Sequence, residues 1–207
     1  MAQNEKGGLH MGLFDKFKKE KKQKTNAEIY IDYMIELFGG EPHDIHMADS
    51  EDGGRPVSVL FWHDLPEEGF MTAVTYGLSE RDHPDWKNGK CELMLSLKTK
   101  DQDWGYAMAV FANSFGGEKS FTYGSVFTTD DPLSKESEMR GFFVFAPAIL
   151  ERNDAVLQMP DYKIFLNGMY PIYKEEIAVF NEIGLKEFWH HENFKMYDVN
   201  RKRIGGE

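Results

Sequence analysis

The chain reads as an α+β protein folded as one domain, and three observations support this. Strand-like runs are grouped, with helical runs before and after them. Spacers rich in turn residues separate the strands, as hairpins or meanders require. At 207 residues the chain can bury a substantial core, and 41% hydrophobic content is ordinary for a globular protein. The parsing is a basic appended segment over 1–24, a folded unit over 25–204 and a short tail over 205–207.

The first helix opens at Thr25. Glu28 lies three residues on and makes a capping box, and Tyr30, Tyr33, Met34, Leu37 and Phe38 recur at helical spacing before Gly39-Gly40 stop the run. Arg55–Trp62 is a strand with Val57, Val59 and Phe61 on one face and Leu60 and Trp62 on the other. In Cys91–Lys98 the residues Cys91, Leu93, Leu95 and Leu97 alternate with Glu92, Met94, Ser96 and Lys98. Asp103–Phe115 has Trp104, Met108, Phe111 and Phe115 about four apart, which predicts a second helix stopped by Gly116-Gly117. A Gly- and Thr-containing segment, 121–129, and a polar loop, 129–140, lead to a short apolar strand at Phe142–Phe145. Tyr162–Met169 is the last strand, Lys174–Ile183 a third helix ended by Gly184, and Leu185–Phe194 a fourth; Asn200–Glu207 reads as a polar tail.

One stretch, Met71–Glu80, stands at the centre of this pattern. Val74, Thr75 and Tyr76 suit a pleated strand. Gly77, without a Cβ, permits a sharp bend or a close backbone approach, and Leu78, Ser79 and Glu80 form the exit.

Charge narrows the function classes. The net charge is −11, yet residues 1–24 carry seven lysines against Glu5, Asp15 and Glu20, a balance of +4 that leaves −15 on the rest. A body that acidic is a poor nucleic-acid binder, because neutralising phosphates needs clustered Lys and Arg. It can attract a basic protein instead. Leu13, Phe14 and Phe17 with the following lysines could touch an anionic membrane or a partner, although a solvated tail is the plainer reading and no stable membrane association is expected. No run approaches the roughly 20 apolar residues of a membrane span. The single cysteine excludes an internal disulfide, and with no signal-peptide core the expected compartment is the cytoplasm.

Catalytic and metal patterns are not found. His43 and His46 would share a face only on a helix, which Pro42 disfavours, and the imidazoles of His190-His191 point apart. Cys91 shares a face with three leucines and reads as a buried, inert thiol. Phe115-Gly-Gly-Glu-Lys119 lacks the phosphate-loop spacing. No metal or cofactor is expected, and adjacent carboxylates at Glu67-Glu68, Asp130-Asp131 and Glu175-Glu176 read as solvated charges. What remains is a surface for a protein. Its candidate contacts are the segment Tyr76, Gly77, Leu78, Ser79 and Glu80, the aromatics Trp86, Tyr170 and Tyr173 that neighbouring turns would expose, and the acidic pair Asp130 and Asp131. An enzyme with a site around Tyr76, Glu80 and His63 or His83 is the competing reading, and a membrane-recruited scaffold is a third.

Four motifs in register carry a resemblance. Thr75-Tyr-Gly-Leu-Ser-Glu80 resembles the signature of the suppressor-of-fused family. Cys91–Lys98 resembles its "E-L-x-x-x-L-K" strand, and Gly124-Ser-Val-Phe with Asp131-Pro-Leu-Ser134 resembles its "G-x-x-x … D-x-P-L" segment. Leu166-Asn-Gly-Met-Tyr-Pro171, followed by Tyr173 and Glu176, resembles the C-terminal motif of bacterial members. The resemblance runs from about 27 to 204 and implies a mixed, mostly antiparallel sheet flanked by helices. It also implies stoichiometric protein binding. Bacterial relatives of this length include antitoxins or immunity proteins that neutralise a toxin, often a nuclease, whereas eukaryotic relatives with a second domain bind a transcription factor. The expected partner is therefore a basic cognate toxin.

Overall fold

In the computed structural model, which describes residues 23–48 and 55–205, helix α1 spans Asn26–Phe38 and closes as expected. The Thr25 hydroxyl accepts from the Glu28 amide at 3.2 Å and the Glu28 carboxylate accepts from the Thr25 amide at 2.7 Å. Gly39 ends the helix in the left-handed region at φ 77°, where a side chain would be strained. The strands are β1 (Asp44–Ala48), β2 (Val57–His63), β3 (Met71–Tyr76), β4 (Lys90–Leu97), β5 (Val126–Thr128), β6 (Gly141–Phe145), β7 (Val156–Gln158) and β8 (Lys163–Ile172). Helix α2 spans Asp103–Phe115 and α3 spans Glu176–Trp189.

All eight strands form one sheet in the order β1-β2-β3-β4-β8-β6-β5, with β7 also paired to β8. Among the described strands only β4 and β8 run parallel, so the sheet is mixed and mostly antiparallel within one α+β domain. The alternation read from the sequence sorts the two faces. Val57, Val59, Phe61, Cys91, Leu93, Leu95 and Leu97 pack under Trp104, Met108 and Ala112 of α2. Leu60, Trp62, Val74 and Met94 pack on the other face under Tyr30 and Met34 of α1. Gly105 makes the α2 contact possible, because a Cβ there would lie 2.4 Å from the Phe61 ring. No helix among the described residues is long and apolar enough to cross a membrane.

Several expectations need correction. Residues 44–48 form an edge strand that the sequence reading left unassigned, and β7 was likewise not anticipated. The break expected at Gly184 is present, because its φ 77° and ψ 170° are non-helical and divide α3 into two helical pieces, but the second piece ends at Trp189 rather than Phe194. Asn200–Gly205 is not a solvated tail, because Arg201 and Ile204 are buried. The Arg201 guanidinium meets the Glu176 carboxylate through two 2.6 Å bonds, with both side chains fully enclosed. The same carboxylate accepts the Ile204 amide at 2.7 Å and the Tyr173 amide at 3.1 Å, tying the end of the chain to β8 and α3. Of the expected appended segment 1–24, all but Gln23 and Lys24 lies outside the described residues.

Candidate functional site

The segment Thr75–Glu80 is built around a carboxylate from the neighbouring strand. β3 ends at Tyr76, and Gly77 turns the chain at φ 120°. A Cβ on Gly77 would lie 3.0 Å from the Pro56 carbonyl oxygen, so conformation and space both favour glycine. Leu78–Glu80 then form a single 3₁₀ turn. Beneath this turn lies Glu92 of β4, fully buried. It accepts from the Gly77 amide at 2.9 Å, the Ser79 amide at 2.8 Å and the Thr75 hydroxyl at 2.6 Å. Thr75 Oγ1 in turn accepts from the Leu93 amide at 2.8 Å. Burial raises the Glu92 pKa above the ordinary range, and the donors from Ser79, Thr75 and Gly77 offset this only in part.

The outer side of the turn is a polar chain. Tyr76 donates to Glu80 Oε1 at 3.0 Å, and Arg55 donates to Glu80 Oε2 at 2.8 Å. Burial, followed by the nearby Glu80 charge, pushes the Tyr76 phenol well above its usual pKa. Tyr30 of α1 lies against Tyr76 with the rings tilted and their centres 4.9 Å apart, and it donates to the Thr75 carbonyl at 2.7 Å. Arg81 reaches the far end of α2, where it donates to the Asn113 carbonyl at 2.6 Å and the Gly116 carbonyl at 3.1 Å, closing two carbonyls of the last turn. The signature is therefore a fold-forming staple that joins β3, β4, α1 and α2. Gly77, Leu78 and Ser79 are buried, Tyr76 is half-buried and Glu80 is exposed.

The other candidate residues do not gather here. Trp86 is half-buried against the core and donates from Nε1 to the Ser120 carbonyl at 2.9 Å. Tyr170 and Tyr173, expected at an exposed turn beside Pro171, are buried. Tyr170 lies within β8 and donates to the Ala146 carbonyl at 2.7 Å, and Tyr173 donates to the Arg201 carbonyl at 2.9 Å. Pro171 fits inside this strand because the β4 pairing ends at Gly168, leaving β8 with only β6 alongside at that point. Asp130 and Asp131 are exposed as expected. Lys174 donates to Asp130 at 2.9 Å and holds its carboxyl below the ordinary range. Asp131 borders a groove of about 360 Å³ lined by Ala107, Val110, Phe111 and Thr128.

Of the groups in the enzyme reading, Tyr76 and Glu80 meet, whereas His63 lies away from them. His63 pairs in register with Met71, at the end of β3 opposite Tyr76, and it faces Asp44 at 3.2 Å. His83 lies 3.3 Å from the Glu118 carbonyl oxygen. Among the described residues no three His, Cys, Asp or Glu side chains are grouped to hold a metal ion. Burial raises the Cys91 thiol pKa, consistent with the inert role expected for it.

A mixed eight-stranded sheet with this turn at the head of β4 defines a fold class that comparison with known proteins identifies. The sequence model of the suppressor of fused protein family matches residues 53–202, and the chain belongs to that family. The fold is similar to that of a suppressor-of-fused-like protein from Neisseria gonorrhoeae FA 1090, with a TM-score of 0.63 and 15% identity over 86% of this chain and 96% of that one. It is also similar to a chain in the crystal structure of the Sufu–Fu complex, with a TM-score of 0.61 and 12% identity over 84% and 89% of the two chains. Drosophila Suppressor of Fused matches with a TM-score of 0.61 and 12% identity over 86% of this chain, which spans 50% of the fly protein. No curated protein sequence matches the chain.

Proposed function

We propose that the chain is a non-catalytic, stoichiometric protein-binding module. In this reading its partner is a basic cognate toxin, for example a nuclease, which it neutralises in the cytoplasm as an immunity protein or antitoxin. The observation that carries the reading is the distribution of acidic side chains on a protein of net charge −11. Glu92 and Glu176 are buried, each held by internal donors, and so belong to the fold. Glu28, Asp32 and Glu36 on α1, Asp130-Asp131, and Glu151 with Asp154 stand exposed. Such a surface accelerates encounter with a basic partner and disfavours nucleic acid itself. Family membership supports the protein-binding part of this reading, since a protein of this fold has been crystallised in a complex named for Sufu and Fu.

The test is affinity capture of the tagged protein from its own cells at low and at high salt, followed by co-expression with the captured partner. A basic partner bound in fixed stoichiometry, whose toxicity the chain suppresses, is the expected result. A partner with a neutral or acidic binding face would overturn the proposal.

A further inference from the structure

The edge strand β1 presents apolar side chains that nothing among the described residues covers. Ile45 is 56% exposed and Met47 63% exposed. β1 is the end strand of the sheet, so its outer backbone edge has no partner strand among the described residues. Natural edges are blunted by lysines or prolines, and Asp44–Ala48 contains neither.

The register places these side chains. Ile45 lies opposite Leu60, and Leu60 packs under α1, so Ile45 and Met47 face the α1 side of the sheet. Asp44, His46 and Ala48 face the α2 side. Asp44 accepts from Gln102 at 2.7 Å, His46 stands edge-on to Phe61, and Ala48 joins the core under α2.

α1 forms the other wall. Phe38 meets Trp62 of β2 edge to face, while Tyr33 donates to the Asp154 carbonyl on the opposite side of the helix. At about 100° per residue, Ile31 and Ile35 lie on the Phe38 side, turned toward β2 and β1; both are half-buried. The result is an apolar strip with Ile31 and Ile35 on one wall and Ile45 and Met47 on the other. Tyr30 near the start of α1 reaches the Thr75 carbonyl, and the Gly40 carbonyl just past its end accepts from Trp62, so α1 runs antiparallel to β1; Glu28 and Asp32 lie toward the Met47 end, and Glu36 with Glu41 toward the Asp44 end. All four are exposed, and Asp32 pairs with Lys24.

We propose that the outer edge of β1 is a strand-addition site for an extended segment of a basic partner. Alternate apolar side chains of that segment fill the strip, and basic residues flanking it meet the acids at the two ends of α1. Main-chain pairing supplies affinity in this recognition mode and the side-chain pockets supply specificity. A second copy of this chain is disfavoured, because it would set the acidic helix against its own image. The inference rests on the protein-binding reading above and names the surface and partner chemistry for it.

The experiment uses the full chain labelled with ¹⁵N and a capped nonapeptide, Lys-Lys-Val-Thr-Val-Thr-Val-Lys-Lys. Its control carries glutamates in place of the four lysines. The expected result is shifted and exchange-protected amides across Asp44–Ala48, with binding at least about tenfold weaker for the control and for Met47→Asp. Met47→Asp leaves the melting temperature unchanged, because the side chain is already exposed. Shifts confined to another surface, equal binding by the control, or an unaffected Met47→Asp variant would overturn the inference. A dimer by mass measurement that Met47→Asp dissociates would overturn it too, by assigning the edge to a second copy. If the cellular partner still binds Met47→Asp undiminished, this site is wrong while the protein-binding function stands.

Discussion

Replacing Glu92 tests whether the family signature acts as a staple. In Glu92→Ala the Gly77 and Ser79 amides lose their acceptor, and Thr75 loses one as well. Each buried donor left unsatisfied costs about 1–3 kcal/mol. The two amides alone give about 2–6 kcal/mol, and the cavity left by the side chain adds to this. For a chain of this size that corresponds to a fall in Tm of at least about 4 °C, at roughly 2–4 °C per kcal/mol. Glu92→Gln keeps an oxygen for both amides and turns its NH₂ toward Thr75, so its loss is about 1 kcal/mol or less. The pH dependence has a definite sign. Because the folded pKa of Glu92 lies above the ordinary glutamate value of 4.5, the folded state holds the proton more tightly than the unfolded state. Its contribution is complete below pH 4.5 and is lost as pH rises through the folded pKa, so wild type loses stability relative to Glu92→Gln over that window. Urea unfolding of the three proteins across pH measures this. A Glu92→Ala variant within about 1 kcal/mol of wild type, or a Glu92→Gln variant as damaged as Glu92→Ala, would refute the staple.

Three further predictions concern the frame that carries the surface. Arg201→Met leaves Glu176 charged and enclosed, at a cost of about 3–5 kcal/mol, and urea denaturation should show the midpoint falling without a change in slope. Gly105→Ala drives a methyl into Phe61, and about 1–3 kcal/mol of overpacking should appear in thermal unfolding. Lys174→Ala should cost less than about 1 kcal/mol, because its bond to Asp130 is exposed; NMR titration should show the Asp130 carboxyl rising toward its usual pKa.

Local signals in the sequence were read correctly where the residues that carry them are close together. The capping box at Thr25, the alternation of β2 and β4 and the stripe of α2 each lie within about a dozen residues, and each appears in the structure. β1 escaped because burial is what makes alternation visible, and only Ala48 of its five residues is buried. Glu92 was paired with Ser96 and Lys98 as the polar side of β4. Met94 between them was the available signal that this face is also covered, because both faces of a central strand are buried. The Arg201–Glu176 pair joins residues 25 apart, beyond the reach of any local pattern. Tyr170 and Tyr173 were misplaced because Pro171 reads as a turn residue, and only the strand order shows why β8 tolerates it.

The most direct test of the central claim is the binding isotherm of the captured partner with the purified chain, measured at about 50 and 200 mM salt, where exposed charges are screened to different degrees. The proposed role predicts one basic partner in fixed stoichiometry, bound at least about tenfold more weakly at the higher salt. A neutral or acidic partner, or an affinity that does not change with salt, would contradict it.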